Sequence, residues 1–250
     1  MRIDLNADLG EEAGHDDDLL ALVSSANIAC GAHAGDAGIM QRTIVAAHEQ
    51  HVAVGAHPSF ADRENFGRKE LRCSPEEIYA LVAGQVRAFA GVAEAAGVSA
   101  NHVKPHGALY NMAARDQTTA GAVARAIADV DPRLILFAPP SSELARAGRA
   151  RGLRVACEVF ADRNYLASGA LVPRTSPDAL LRDPAEGAAR VLRILREGVV
   201  RAVDGTEVAL AADTICIHGD TPAAVKFAAQ LRTALTQLGV TIAPPDSREL

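Results

Sequence analysis

Seven short apolar runs punctuate the chain, and each gives way to a polar cluster and then to an amphipathic stretch. The runs predict strands over Ile3–Asp8, Asn27–His33, Val52–His57, Asn101–His106, Leu134–Ala138, Val155–Phe160 and Thr214–His218. Between them apolar residues return with a helical period of 3.6. Ile78, Leu81, Val82, Val86 and Phe89 mark one helix, opened by an N-cap at Ser74 with Pro75 at its first position. Val191, Leu192, Leu195 and Val199 mark a second, and Phe227, Leu231, Leu235 and Leu238 a third. Strand–helix alternation along the whole chain implies parallel strands joined by right-handed crossovers. The expectation is an α/β fold, a seven-stranded (β/α) TIM-like barrel forming one domain over residues 1–250. An open doubly wound sheet is the alternative.

Composition narrows the function classes. A hydrophobic content of 49% can fill a sizeable core, and 250 residues suit one such barrel. The formal net charge of −6 argues against a nucleic-acid binder, which needs a basic face to neutralise phosphates. No apolar run approaches the ~20 residues that cross a bilayer. Met1 leads directly into a strand pattern containing acids, unlike a signal peptide. Cys30, Cys73, Cys157 and Cys216 show no C-x-x-C spacing, so reduced thiols in a cytoplasmic protein are expected.

The candidate chemistry lies where the predicted strands end. In α/β folds these ends share one face, and the site is built there. Strand one ends in Asn6-Ala7-Asp8-Leu9-Gly10-Glu11. Strand two carries Asn27 and ends in His33-Ala34-Gly35-Asp36; strand three ends in His57-Pro58. Strand four ends in Lys104-Pro105-His106-Gly107, strand six gives Glu158 and then Asp162-Arg163-Asn164-Tyr165, and strand seven gives His218-Gly219-Asp220. A lone His or Asp closing a strand is ordinarily a cap or turn residue. Asp36 and Asp220 can simply cap the following helices, and Glu11, Glu12 and the Asp16–Asp18 run read as a solvated loop. His48, His51 and His102 read as surface residues. Recurrence at six of seven strand ends nevertheless points to an enzyme. Lys104, flanked by Val103 and Pro105, is costly to bury unless it meets a carboxylate or a substrate anion.

No G-x-S-x-G elbow is present, and no cysteine has a catalytic context, so acyl-enzyme chemistry is disfavoured. No G-x-x-x-x-G-K-[ST] or G-x-G-x-x-G nucleotide loop occurs. Acids with histidines suit general acid–base hydrolysis of an amide, with or without a metal. His33, His57 and Asp8 are the candidate ligands for a divalent metal, although H-E-x-x-H and similar compact spacings are missing.

Asp4–Glu11 (DLNADLGE), Ser24–Asp36 (SSANIACGAHAGD), Val54–Phe60 (VGAHPSF), Phe66–Arg68 (FGR), His102–Asn111 (HVKPHGALYN), Glu158–Tyr165 (EVFADRNY), Leu171–Arg174 (LVPR) and Ile215–Asp220 (ICIHGD) resemble the signature blocks of the LamB/YcsF family. The ordered blocks run through nearly the whole chain. Pro58-Ser59-Phe60-Ala61-Asp62 stands where the family usually has Pro-Gly-Tyr-Pro-Asp, and Ala32 where Phe is common. The resemblance implies a barrel related to glycoside hydrolases and polysaccharide deacetylases. It also implies hydrolysis of a cyclic amide, 5-oxo-L-proline, to L-glutamate, coupled to ATP hydrolysis in a complex with two partner subunits, B and C.

Residues and resemblance together give expected roles. Asp8 is the first choice of general base, with Asp162 and Glu158 as alternates. His33, His57 or His218 would act as acid or position water. Lys104 and Arg163 would hold a substrate carboxylate or phosphate, Arg163 through a bidentate fork. Asn6 and Asn27 would orient neighbours, and His106 and Asp220 complete the substrate-binding set. Two rival readings are a stand-alone metal-dependent deacetylase or amidohydrolase, and a non-catalytic lactam-sensing subunit.

Overall fold

Strand β1 (Arg2–Leu9) carries the pattern that organises the structure. Its apolar residues Ile3, Leu5, Ala7 and Leu9 alternate with Asp4, Asn6 and Asp8. Successive side chains of a strand point to opposite faces. Here the apolar face joins the helix-covered core with Ile44, Val82 and Leu231, while the polar face turns into the bore of a barrel. Both faces are buried, as parallel sheets require.

The computed structural model describes residues 1–173, 175–181, 183–217 and 222–245. Six further strands, β2 (Ser25–Ala29), β3 (Ala53–His57), β4 (Ala100–Val103), β5 (Ile135–Ala138), β6 (Arg154–Phe160) and, after a hairpin, β9 (Thr214–Ile217), join β1 in order. All pair in parallel, and β9 pairs with both β6 and β1, in register Asp4↔Thr214, so the seven close on themselves. The hairpin is antiparallel, β7 (Val199–Arg201) with β8 (Glu207–Ala209). A short β10 (Thr241–Ile242) adds to the start of β1. Around the strands lie α1 (Asp16–Leu20), α2 (Ala37–Glu49), α3 (Pro75–Ala95), α4 (Gly107–Arg115), α5 (Gln117–Val130), α6 (Glu143–Ala150), α7 (Pro184–Glu197) and α8 (Pro222–Gln237). The closed TIM-like barrel is therefore the fold, and the open sheet is excluded.

Local chemistry explains the boundaries. α3 begins at a capping box in which Ser74 and Glu77 satisfy each other's backbone N–H, with Pro75 just inside. Asp36 caps α2 by accepting from the Ile39 N–H, its plainer expected role. Four expectations need correction. β2 ends at Ala29, so Asn27 lies within the strand and His33 on the loop beyond it. β4 ends at Val103, which puts Lys104 and His106 just past the strand. They still follow its path: the Lys104 N–H donates to the Ala56 carbonyl and the His106 N–H to that of Pro58. Val199 belongs to β7 and not to the helix before it, and Leu238 lies beyond the end of α8, 40% exposed.

The four cysteines are free thiols. Among the described residues no helix is long and apolar enough to cross a membrane.

Candidate active site

The bore of the barrel holds a continuous polar network. At its base Asp4 accepts from the hydroxyls of Ser24, Ser25 and Thr214 at 2.5–2.7 Å. Burial drives the Asp4 carboxyl up to about 6, although those three donors pull the other way. One layer higher, Asn6 donates to Thr214 Oγ1 and Glu158 Oε1. Asn27 donates at 2.7 Å to Asn6 Oδ1 and at 2.9 Å to Asp8 Oδ1. Tyr110, reaching in from α4, donates at 2.5 Å to Glu158 Oε2.

His102 corrects the surface reading. It is fully buried, stacked on Phe137 with ring centroids 4.1 Å apart, and its Nε2 lies 2.8 Å from Asn27 Oδ1. Its ring occupies the space above Gly55, where any Cβ would come within 2.3 Å of it. Burial, with the charges of Lys104 and His57, lowers His102 to about 3, so the ring is neutral. Asn27 Oδ1 can only accept, which places the ring proton on Nε2.

Lys104 forms the next layer. Its ammonium lies 2.9 Å from Asp8 Oδ1 and 2.9 Å from Glu158 Oε1, with 3.0 Å to the Cys216 sulfur. Burial alone would discharge it, but Asp8 and Glu158 hold the lysine well above its ordinary value. The carboxylate alternative named for Lys104 is therefore the one found.

Above Lys104 lies a cluster of imidazoles with one carboxylate. His57 ends β3, and its Nδ1 donates at 2.7 Å to the Lys104 carbonyl. The His106 Nε2 donates at 2.9 Å to the Phe66 carbonyl. That leaves His57 Nε2 and His106 Nδ1 facing each other at 3.0 Å. Glu11 Oε1 lies 3.0 Å from His33 Nε2, 3.3 Å from His106 Nδ1 and 3.7 Å from His57 Nε2. His33 stacks flat on His106 at 3.9 Å, and Phe66 presents its ring edge-on to both. Asp8 Oδ2 approaches His57 Nε2 at 3.5 Å. Burial opposes charge on His57, but Asp8 and Glu11 outweigh it and raise the imidazole. Burial lowers His33 and, with the neighbouring imidazoles, His106 as well.

The backbone is built to present these groups. Gly10 and Glu12, both at positive φ, turn the chain after β1, and the turn folds Glu11 back over the strand ends. The Gly10 N–H is held by Asp16 Oδ2. Phe66 adopts φ +54, a conformation disfavoured for a bulky residue, and its carbonyl orients His106.

The structure thus brings together Asp8, His33, His57, Lys104 and His106, with Asn6, Asn27 and Glu158 beneath them. Asp162, just past β6, is partly buried and acts electrostatically on Cys216 and Tyr165. His218 and Asp220 lie outside the described residues. Three groups sit differently from expectation. Glu158 has a side chain with no exposure and both oxygens engaged by Lys104, Asn6 and Tyr110, which places it beneath the mouth of the barrel. Asn6 and Asn27 are buried within the network, where they orient Glu158, Thr214 and Asp8. Arg163 gives its Nε and one terminal nitrogen of its guanidinium to the Ala179 and Val172 carbonyls, where it organises the loop after β6. Arg190 of α7, overlooked in the sequence, clamps the same loop through the Arg163 carbonyl and Asn164 Oδ1. The metal-capable group among the described residues is Glu11, His33, His57 and His106, with donor atoms all within 4.8 Å; Asp8 is not part of it. Glu11 is therefore no solvated loop residue, its side chain being 8% exposed.

The LamB/YcsF family pattern matches residues 3–249. The 5-oxoprolinase A subunit from Geobacillus kaustophilus is 51% identical over 99% of this chain and 98% of its own length. A lactam utilization protein from Thermus thermophilus superposes with TM-score 0.92 at 47% identity, covering 97% of this chain and 99% of the other. A polysaccharide deacetylase from Bacillus cereus shares the fold alone, with TM-score 0.50 at 11% identity over 100% of this chain and 94% of its own. With the pattern matched almost from end to end, this chain belongs to the LamB/YcsF family.

Proposed function

We propose that this chain is the hydrolytic A subunit of an ATP-dependent 5-oxoprolinase, opening 5-oxo-L-proline to L-glutamate with partner subunits B and C. The full-length likeness to proteins named as the A subunit of 5-oxoprolinase carries the reading, and the mouth of the barrel supplies chemistry suited to it. A five-membered lactam is a stable amide. Phosphorylating its carbonyl oxygen with ATP makes the ring carbon electrophilic and phosphate a leaving group. No recognised nucleotide loop occurs in this sequence, so that step is assigned to the assembled complex.

Asp8 is the proposed general base. Lys104 and Asn27 pin its Oδ1, leaving Oδ2 directed toward the imidazoles. Oδ2 takes a proton from water as the water oxygen attacks the activated ring carbon. As the ring carbon–nitrogen bond breaks, Asp8 returns that proton to the departing nitrogen, which leaves an acyl phosphate; a second water then replaces the phosphate, giving the glutamate side-chain carboxylate and inorganic phosphate. Lys104 holds Asp8 in place, which makes it a positioning group with its charge already matched by two carboxylates.

The test is to assay glutamate release by the purified chain, alone and with subunits B and C, each with and without ATP. Turnover confined to the complete, ATP-supplied complex is expected. Robust amide hydrolysis by the isolated chain without ATP would replace this reading with the stand-alone amidohydrolase.

A further inference from the structure

We infer that Glu11, His33, His57 and His106 form a binding site for one divalent transition-metal ion, of the zinc, cobalt or manganese class. Four donor atoms surrounding an ion tetrahedrally at ~2.1 Å lie roughly 3.4 Å from one another. Four of the six donor separations bracket that value, 3.0 Å for His33–Glu11, 3.0 Å for His57–His106, 3.3 Å for His106–Glu11 and 3.7 Å for His57–Glu11, and all lie within 4.8 Å.

The hydrogen-bonding partners of the rings point the same way. The Lys104 and Phe66 carbonyls can only accept, so His57 Nδ1 and His106 Nε2 carry their protons. In the neutral rings His57 Nε2 and His106 Nδ1 then present lone pairs to each other at 3.0 Å, beside an acidic oxygen. A positive centre must lie between them. Backbone carbonyls that fix the far nitrogen are the usual outer support of metal-binding histidines. His33 is the outlying donor: its Nε2 faces Glu11 at 3.0 Å, but its Nδ1 has no hydrogen-bond partner and its ring lies parallel to His106, so Glu11, His57 and His106 form the core of the site. Three imidazoles with one carboxylate favour a borderline transition metal over magnesium or calcium, which take oxygen donors.

The site lies beside Asp8 Oδ2, so on the function proposed above the ion would supply Lewis acidity next to the general base. The rival occupant is a proton shared between His57 and His106. Metal content and affinity separate the two without any turnover assay. The full chain, stripped with chelator and re-exposed to cobalt(II) or zinc(II), is expected to retain about one equivalent, with the visible absorption of low-coordinate cobalt. Glu11→Gln and His106→Gln, folded by circular dichroism, should each weaken that binding by at least the ~10–100-fold that loss of an outer supporting group costs. Asp8→Asn should leave it intact. A parent protein that takes up neither ion, or variants that bind as the parent does, would overturn the site. A loaded site in a complex that leaves 5-oxoproline untouched would support the site and remove only the substrate assignment.

Discussion

Lys104 and Glu158 meet at 2.9 Å with side chains 4% and 0% exposed, and Asp8 meets the same ammonium from the other side. Lys104→Met keeps the apolar stem and leaves two buried carboxylates facing one another. Stability should fall on the order of 3–5 kcal/mol, read as a lower melting temperature. Adding Glu158→Gln should restore part of that loss, because one of the two uncompensated charges is then gone. A single variant that melts with the parent would show that the carboxylates do not depend on Lys104.

Asp8→Asn retains an acceptor for Lys104 and Asn27 but has no oxygen basic enough to take a proton from water. Turnover in the assembled complex should drop by ~10²–10⁴ with the melting transition preserved. Affinity for 5-oxoproline, measured by calorimetry, should stay near the parent value. Undiminished turnover would leave the hydrolytic assignment without its base and favour a sensing role.

His102 titrates at about 3 in the folded chain, against 6.5 for an unperturbed imidazole. The native state therefore binds fewer protons than the unfolded one between these values. The stability this difference supplies is complete above 6.5 and drains away as the pH falls toward 3. Urea denaturation of the parent and of His102→Gln, at pH 7.5 and again at pH 4.5, isolates the effect. The parent should lose more stability between the two conditions than the variant, and identical losses would mean that His102 does not titrate as the buried ring requires.

Gly55→Ala places a methyl group where the His102 ring now rests. Overpacking of this kind costs about 1–3 kcal/mol. A shift of the denaturation midpoint in that direction is expected, with partial recovery when His102 is shortened to Ser. Unchanged stability would mean that the ring lies elsewhere.

Much of this was legible in the sequence. The apolar runs marked every strand of the barrel, because each has one face against helices. The polar strand ends disclosed Asp8, His33, His57, Lys104 and His106, since charged groups rarely interrupt buried strands without a purpose. Glu11 escaped because it sits among Glu12 and Asp16–Asp18, and only the tight turn at Gly10 folds it inward. His102 could have been found: it lies two residues from Lys104, and a period of two puts both on one face. Its neighbour Asn101 instead marks a register shift between β3 and β4, which blurs that alternation. Arg163 misled because a guanidinium suited to an anion fork is equally suited to two backbone carbonyls, and composition does not distinguish them. Tyr110 and Arg190 act from helices onto distant strands and loops, contacts that periodicity within an element does not disclose.

The polar lining of the bore also bears on how the chain reaches its fold. Asp4 and Thr214, bonded at the base of the barrel, are separated by 210 positions, and Asn6 and Glu158 by 152. Contacts so remote form late, after the local strand–helix units have assembled. Until the last strand arrives, the nascent barrel is a curved trough whose inner wall carries Asp4, Asn6, Asp8, Asn27, His102 and Lys104. Water can satisfy those groups in the open trough, whose exposed liability is then the unpaired edges of β1 and β6 that β9 covers. The final closing step then exchanges that water for partners delivered together from opposite ends of the chain. Loss of β9 should for that reason leave an open trough with two bare strand edges in place of a smaller barrel.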